Sequence, residues 1–386
     1  MEKLAGRLKG LEARDIDLLR SWLQRDAALL GEETIRNAEL RRSNRERNEK
    51  PDQLPQAVLF GRGGGMHVIP QRNFTILSAI AAGYRHREGV DCDGWLTELE
   101  THVEEPEDPE IWSAILMWRS HELWWADPAR TGALIGAIWR RFPAAFDDAA
   151  IVQSLWRLRP RMSFDLRRDI LNYWGSHADH SLRQIAGEFA VACAIVDQAA
   201  PADMLEVVDA FMAGNDLYAK VGVLFAAAAG WREDDLAIRT RSHGYLIAPA
   251  KTATGFEAHA LSTAVDRDHR LPPDEMTRAL VTAIKSNAEL LKASVNMFFI
   301  QSLQGLLLHP GFEALVLEVA EGMTELALAS TDKTVGGLYD GELVGLAITL
   351  QRSPAEIKSR AMAVYEKLLD AEVRGAEEAA AFALRR

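Results

Sequence analysis

Cysteine is almost missing from this chain: 386 residues carry two, Cys92 and Cys193, with no C-x-x-C pair. That excludes a disulfide framework and a cysteine-rich zinc site, and it suits a reducing cytosol. Long apolar runs are missing too. The longest, such as residues 223–230, fall far short of the roughly 20 residues that cross a bilayer. The first residues, Met-Glu-Lys-Leu-Ala-Gly-Arg-Leu-Lys, have no apolar stretch of secretion-signal length. The expectation is a cytoplasmic protein with no membrane partner. A basic surplus is also lacking, since 56 acids outnumber 44 bases for a net charge of −12. Non-specific nucleic-acid affinity comes mostly from phosphate contacts and needs a basic surface, so the balance argues against nucleic acid and leaves room only for a local patch.

Complete catalytic motifs are absent as well. Gly61-Arg62-Gly63-Gly64-Gly65 invites a phosphate-loop reading, but Met66-His67 follows it. A phosphate loop needs a lysine there to reach the β- and γ-phosphates and a hydroxyl to hold magnesium. The stretch reads as a small irregular glycine-rich loop or hairpin near residues 57–69. His177-Ala-Asp179-His180 sets two imidazoles beside a carboxylate, yet no third zinc ligand or H-E-x-x-H pattern accompanies it. A surface or capping role fits it better. Asp91-Cys92-Asp93-Gly94 lacks the later ligands of a calcium loop and reads as a turn and helix cap. No catalytic residue, metal site or cofactor is predicted.

What is present is a monotonous helical pattern. Residues 12–30 place Ile16, Leu19, Trp22 and Leu23 at helical spacing, and the bases and acids of residues 32–50 form a polar arm. From Asn73 onward, caps and first-turn prolines recur at Asp127-Pro128, Ser163, Ser181, Asn215, Thr254, Pro272, Asn287 and Ser353-Pro354. The last begins a capping box with Glu356. Many of these starts lie about 15–20 residues apart, so two helices make a unit of roughly 35–45 residues, the period of HEAT-like arrays. The predicted fold is all-α: a HEAT-like α-solenoid of antiparallel helix pairs, with an irregular bundle as the competitor. The predicted organisation is an N-terminal helix and polar arm (1–56), a glycine-rich loop (57–72) and a helical-repeat domain (73–386).

Eight of the ten tryptophans lie between Trp95 and Trp174. Core packing explains such a cluster better than a ligand platform. The residues singled out for binding are Trp156, Arg157, Arg159, Arg161, Arg167 and Arg168. Across residues 140–168, seven arginines face Asp147, Asp148 and Asp165, a local balance of +4. Arginines among aromatics suit a protein interface or nucleic-acid stacking. They equally suit stems that cover apolar helix surface and pair with neighbouring acids. The acids Glu98, Glu100, Glu104 and Glu105 have no base among them and read as a solvated turn.

From Trp112 to the end, the chain resembles the helical-repeat region that follows the NTPase core in bacterial STAND-type proteins, many of them antiphage defence proteins. The resemblance rests on Ser181-Leu-Arg-Gln-Ile-Ala-Gly-Glu-Phe189, on Pro310-Gly-Phe-Glu-Ala-Leu315, and on Glu342-Leu-Val-Gly-Leu-Ala347 with Ala355-Glu-Ile-Lys-Ser-Arg-Ala361 and Lys367-Leu-Leu-Asp370. The chain departs from those proteins in having neither a phosphate loop nor an acidic Walker B strand. The resemblance therefore implies a recognition module without its motor, binding a protein partner. Two alternatives stay open: a HEAT-like DNA-binding or DNA glycosylase-like protein, and a scaffold or assembly subunit.

Overall fold

A computed structural model describes residues 12–23, 26, 28–32, 36, 39, 54–59, 72–86, 89–103, 123–147, 149–197, 202–265, 273–329, 340–373 and 376. The polar arm, most of the glycine-rich stretch, Trp112, Trp118 and residues 330–339 lie outside or largely outside these. Helix dominates the described residues. The exception is an antiparallel pair of two-residue strands, β1 (Arg85–His86) and β2 (Gly89–Val90). The chain divides into two units, Met1–Val207 and Val208–Arg386.

In the first unit, α1 (Ala13–Ser21) lays its buried Ile16 and Leu19 against α2 (Arg72–Gly83), and α3 (Cys92–Val103) packs on α4 (Pro128–Arg141). Then come α5 (Ala149–Leu158), α6 (Phe164–Gly175), α7 (His180–Val191) and α8 (Ala202–Ala213), with α7 lying against both α5 and α6. The caps explain the starts. Asp127 accepts from the Arg130 N–H, with Pro128 in the first turn, and Ser163 accepts from the Leu166 N–H. Each satisfies a donor that the helix geometry leaves orphaned. The sequence places the next cap at Ser181, but Asp179 holds it, accepting from the Ser181 N–H. Asp91 likewise accepts from the Gly94 N–H at the head of α3. A single π-turn, Ala192–Val196, extends α7 and delivers Asp197 at its end.

The second unit has two layers. One contains α10 (Leu236–Ala250), α12 (Glu275–Ser286), α15 (Glu313–Ala329) and α17 (Ala355–Asp370), each packed on the next. The other contains α9 (Leu217–Gly230), α11 (Gly255–Ser262), α13 (Ala288–Ser294), α14 (Met297–Leu306) and α16 (Asp340–Leu350). In this layer α9 meets α11, α11 meets α13, and α14 meets α16. The chain alternates between the layers, and successive helices of the first layer begin about 40 residues apart. Asp216, Asp235, Asp274, Asn287 and Asn296 cap the starts. The expected capping box at Ser353 does not form. The Ser353 N–H closes the turn after α16 on the Leu350 carbonyl, which leaves Pro354 in the cap position without a side-chain bond.

Polar bonds repeat with the same period. Arg239 in α10 meets Asp274 at the head of α12, at 3.0 Å and 35 residues away. Arg278 donates to the Gly311 carbonyl at 3.1 Å, Lys285 to Glu318 at 2.5 Å, and Arg360 to Glu321 at 2.6 Å, across 33, 33 and 39 residues. Each rung joins adjacent members of one layer. Two glycines permit close approaches between helices or turns. A Cβ on Gly132 would lie 2.3 Å from the Arg161 carbonyl oxygen, and one on Gly230 would lie 2.4 Å from the Ser242 Oγ.

Candidate binding site

The arginine segment folds into the same kind of rung. Arg159 and Arg167 converge on one carboxylate, Asp197, at 3.0 and 2.7 Å. The π-turn that follows α7 places that carboxylate between them. The Arg167 side chain is only 4% exposed; it also donates to the Met162 carbonyl and covers the Phe164 ring at 4.4 Å. Arg159 lies over the Trp156 ring at 4.2 Å. Arg168 pairs with Asp203 at the start of α8 and more distantly with Asp165. Arg161 donates to the Trp124 carbonyl at 2.6 Å and stacks on that indole at 4.7 Å. Arg157 alone of the five extends into solvent. The structure therefore brings Arg159 and Arg167 together and sends Arg161 and Arg168 to separate partners. Asp197 and Asp203 supply counter-charge from outside the window in which the +4 balance was counted.

The tryptophans divide similarly. Trp95 and Trp174 are buried, and Trp124, Trp139 and Trp156 are half-buried. Trp125 is 78% exposed, which departs from the expected core role.

A dense ionisable cluster among the described residues escaped the sequence reading. Glu98, expected in a solvated turn, is buried on α3. Its carboxylate accepts from the Arg20 guanidinium, from the Tyr84 hydroxyl at 2.8 Å, and meets the His102 Nε2 at 2.7 Å. Burial alone would push this carboxyl up. Hydrogen bonds from His102, Arg20 and Tyr84, with the Arg20 charge, outweigh it and hold the pKa down to about 2. Tyr84 is pushed up to about 12 by burial and by its bond to that carboxylate. A carboxylate held so far down is ionised at neutral pH, and its bond to Arg20 is what ties α1 to α3. Among the described residues, no group of three or more His, Cys, Asp or Glu could hold a metal ion.

An opening suited to a ligand lies among the described residues of the second unit. A cavity of about 510 Å³ is lined by Trp231 at the end of α9, Leu280 and Val281 of α12, and Phe299, Leu303 and Leu306 of α14. Thr277, Gln301, Ser302 and His309 supply its polar points. That volume and mixture match the usual ligand or side-chain pocket. The Arg239 guanidinium lies over the Trp231 ring at 4.2 Å, and the His243 ring is 5.2 Å from it, so the floor of the pocket is braced by α10. Burial lowers the pKa of His243. At the mouth, Leu308 is 81% exposed.

Comparison with known proteins gives no identification. No family model matches this chain, and no curated protein or solved structure gives a match. The resemblance of residues 112–386 to the STAND-type helical region gains nothing from these comparisons. Among the described residues, no helix is long and apolar enough to cross a membrane.

Proposed function

We propose that the chain is a non-catalytic recognition module, built from HEAT-like helix pairs, that binds a protein partner through the apolar cavity of the second unit. The carrying observation is that cavity with Leu308 exposed at its mouth. A pocket of this size takes one or two aliphatic or aromatic side chains, the anchors that dominate protein interfaces. The regular pairing supports the HEAT-like reading, because stacked pairs hold a surface rigid while each repeat contacts only its neighbours. The partner's anchor would enter above Trp231, with Thr277, Gln301 and Ser302 placed to meet its backbone. A role in antiphage defence is the part of this proposal that rests on the sequence resemblance.

The test is selection of displayed peptides on the full chain, followed by binding to two variants. Gly305 lines the pocket, and a Cβ there meets nothing within 4 Å, so Gly305→Leu fills the mouth without a clash. Leu308→Glu places a charge at the rim. Selected peptides should share a large apolar residue and lose at least ten-fold in affinity for both variants. Peptides that bind the variants and the parent equally would refute the reading.

A further inference from the structure

Helix α7 buries polar residues together with apolar ones. Gln184 is 5% exposed and Glu188 is 0% exposed, one turn apart on the same face. What lies on that face is a piece of the chain about 130 residues earlier, residues 54–59, which has no helix or strand. The Val58 N–H donates to the Glu188 carboxylate oxygens at 3.0 and 3.1 Å, and the Leu59 N–H donates to Oε2 at 2.7 Å. The Gln184 side-chain amide donates to the Gln56 carbonyl at 2.8 Å and to Glu188 Oε1 at 2.9 Å. These bonds recognise only main chain: one carbonyl, then two consecutive N–H groups two and three residues later. A buried carboxylate is costly unless such donors reach it, and bonds from N–H groups to a charged acceptor are among the stronger ones.

We propose that the Gln184–Glu188 face of α7 is a main-chain recognition site for an extended peptide, that residues 54–59 occupy it in cis, and that an extended segment of a partner protein displaces them. The occupant is specified by backbone pattern: extended, with no proline at the two donor positions and apolar side chains there. Val58 and Leu59 meet that description, half-buried, while Leu54 at the other end is 49% exposed. Release of the segment removes two of the donors that reach the Glu188 carboxylate. A peptide with the same backbone pattern restores both. This site belongs to the first unit and does not depend on the cavity reading.

The probe is a fluorescein-labelled peptide with the sequence of residues 54–59, Leu-Pro-Gln-Ala-Val-Leu, titrated to millimolar concentration by fluorescence polarisation. The proteins are the full parent chain, Val58→Pro and Glu188→Gln. Val58→Pro deletes one donor from the resident segment and leaves the receiving side chains untouched. It should bind the peptide at least ten-fold more tightly than the parent does. A peptide carrying proline at the Val58 position should not bind. The double variant Val58→Pro, Glu188→Gln should lose the gain. Hydrogen exchange supplies the second readout: the amides of Val58 and Leu59 should be protected in the parent, and the Leu59 amide, the one of the two that Val58→Pro retains, should exchange freely in that variant with α7 unchanged. The proposal is overturned if Val58→Pro exposes the Leu59 amide with α7 intact and still binds no better than the parent. It is equally overturned if the proline peptide binds as well as the original.

Discussion

Glu98 offers the sharpest quantitative test. Its side chain is 2% exposed, yet its carboxylate is held ionised by Arg20, Tyr84 and His102, which bring α1, the end of α2 and α3 to one point. The folded pKa of about 2 lies below the ordinary value of 4.5. A depressed carboxyl pKa contributes stability that is complete above the unfolded value and disappears as pH falls through the folded one. The difference corresponds to about 3 kcal/mol. That is an upper figure, because the Arg20 side chain is 39% exposed and screened by solvent. Glu98→Gln keeps the shape and mimics the protonated acid at every pH. At pH 7 the parent should therefore protect the amides of α1 and α3 by up to that amount over the variant. Between pH 4.5 and 2 the gap should close. Hydrogen exchange on the two proteins, corrected for intrinsic rates, reads this locally and does not require the whole chain to unfold in one step. A gap that stays constant from pH 7 to pH 2 would refute the argument, since the bond would then owe nothing to ionisation.

Three further outcomes follow from the packing. Gly132→Ala forces a Cβ against the Arg161 carbonyl and should destabilise the first unit by about 1–3 kcal/mol; Gly136→Ala, whose Cβ meets only Leu166 at 3.8 Å, should be neutral or slightly stabilising in the same urea titration. Asp274→Ala removes both a helix cap and the counter-charge of a 2% exposed Arg239. It should cost about 3–5 kcal/mol, more than Arg239→Met, because a stranded buried charge is worse than an apolar replacement; the reverse order in urea midpoints would refute this. Burial pushes the Cys193 thiol up to about 12, so iodoacetamide at pH 8 should modify the native protein at Cys92 and reach Cys193 only after denaturation, as peptide mass mapping would show.

The helical class was legible because its signals are local. Asp127, Ser163 and Asn287 cap the helices their positions suggested, and a period of about 40 residues emerges from such starts. Long-range pairing was not legible. Glu98 stands among acids without a base, and its partner Arg20 is 78 residues away. The arginines of residues 157–168 looked like an available basic patch because Asp197 and Asp203 lie in the following helix pair. One signal does mark them. An arginine stands four residues after the cap in Ser163/Arg167, Asp179/Arg183, Asp235/Arg239 and Asp274/Arg278. Of these four, Arg167 and Arg239 reach acids 30 and 35 residues further on, Arg278 reaches the Gly311 carbonyl, and Arg183 turns back to the His177 and Ala178 carbonyls. The cavity had no local signature, since its walls come from α9, α12 and α14.

The rungs of the second unit are not equal. The Arg239 side chain is 3% exposed, Lys285 is 30% exposed and Arg360 is 43% exposed. Ionic strength weakens exposed pairs and spares buried ones, and a row held only by nearest-neighbour contacts can melt from an end. Salt should therefore act on this unit as a directional solvent, weakening the Arg360–Glu321 pair first, the Lys285–Glu318 pair next, and the Arg239–Asp274 pair beneath the cavity last.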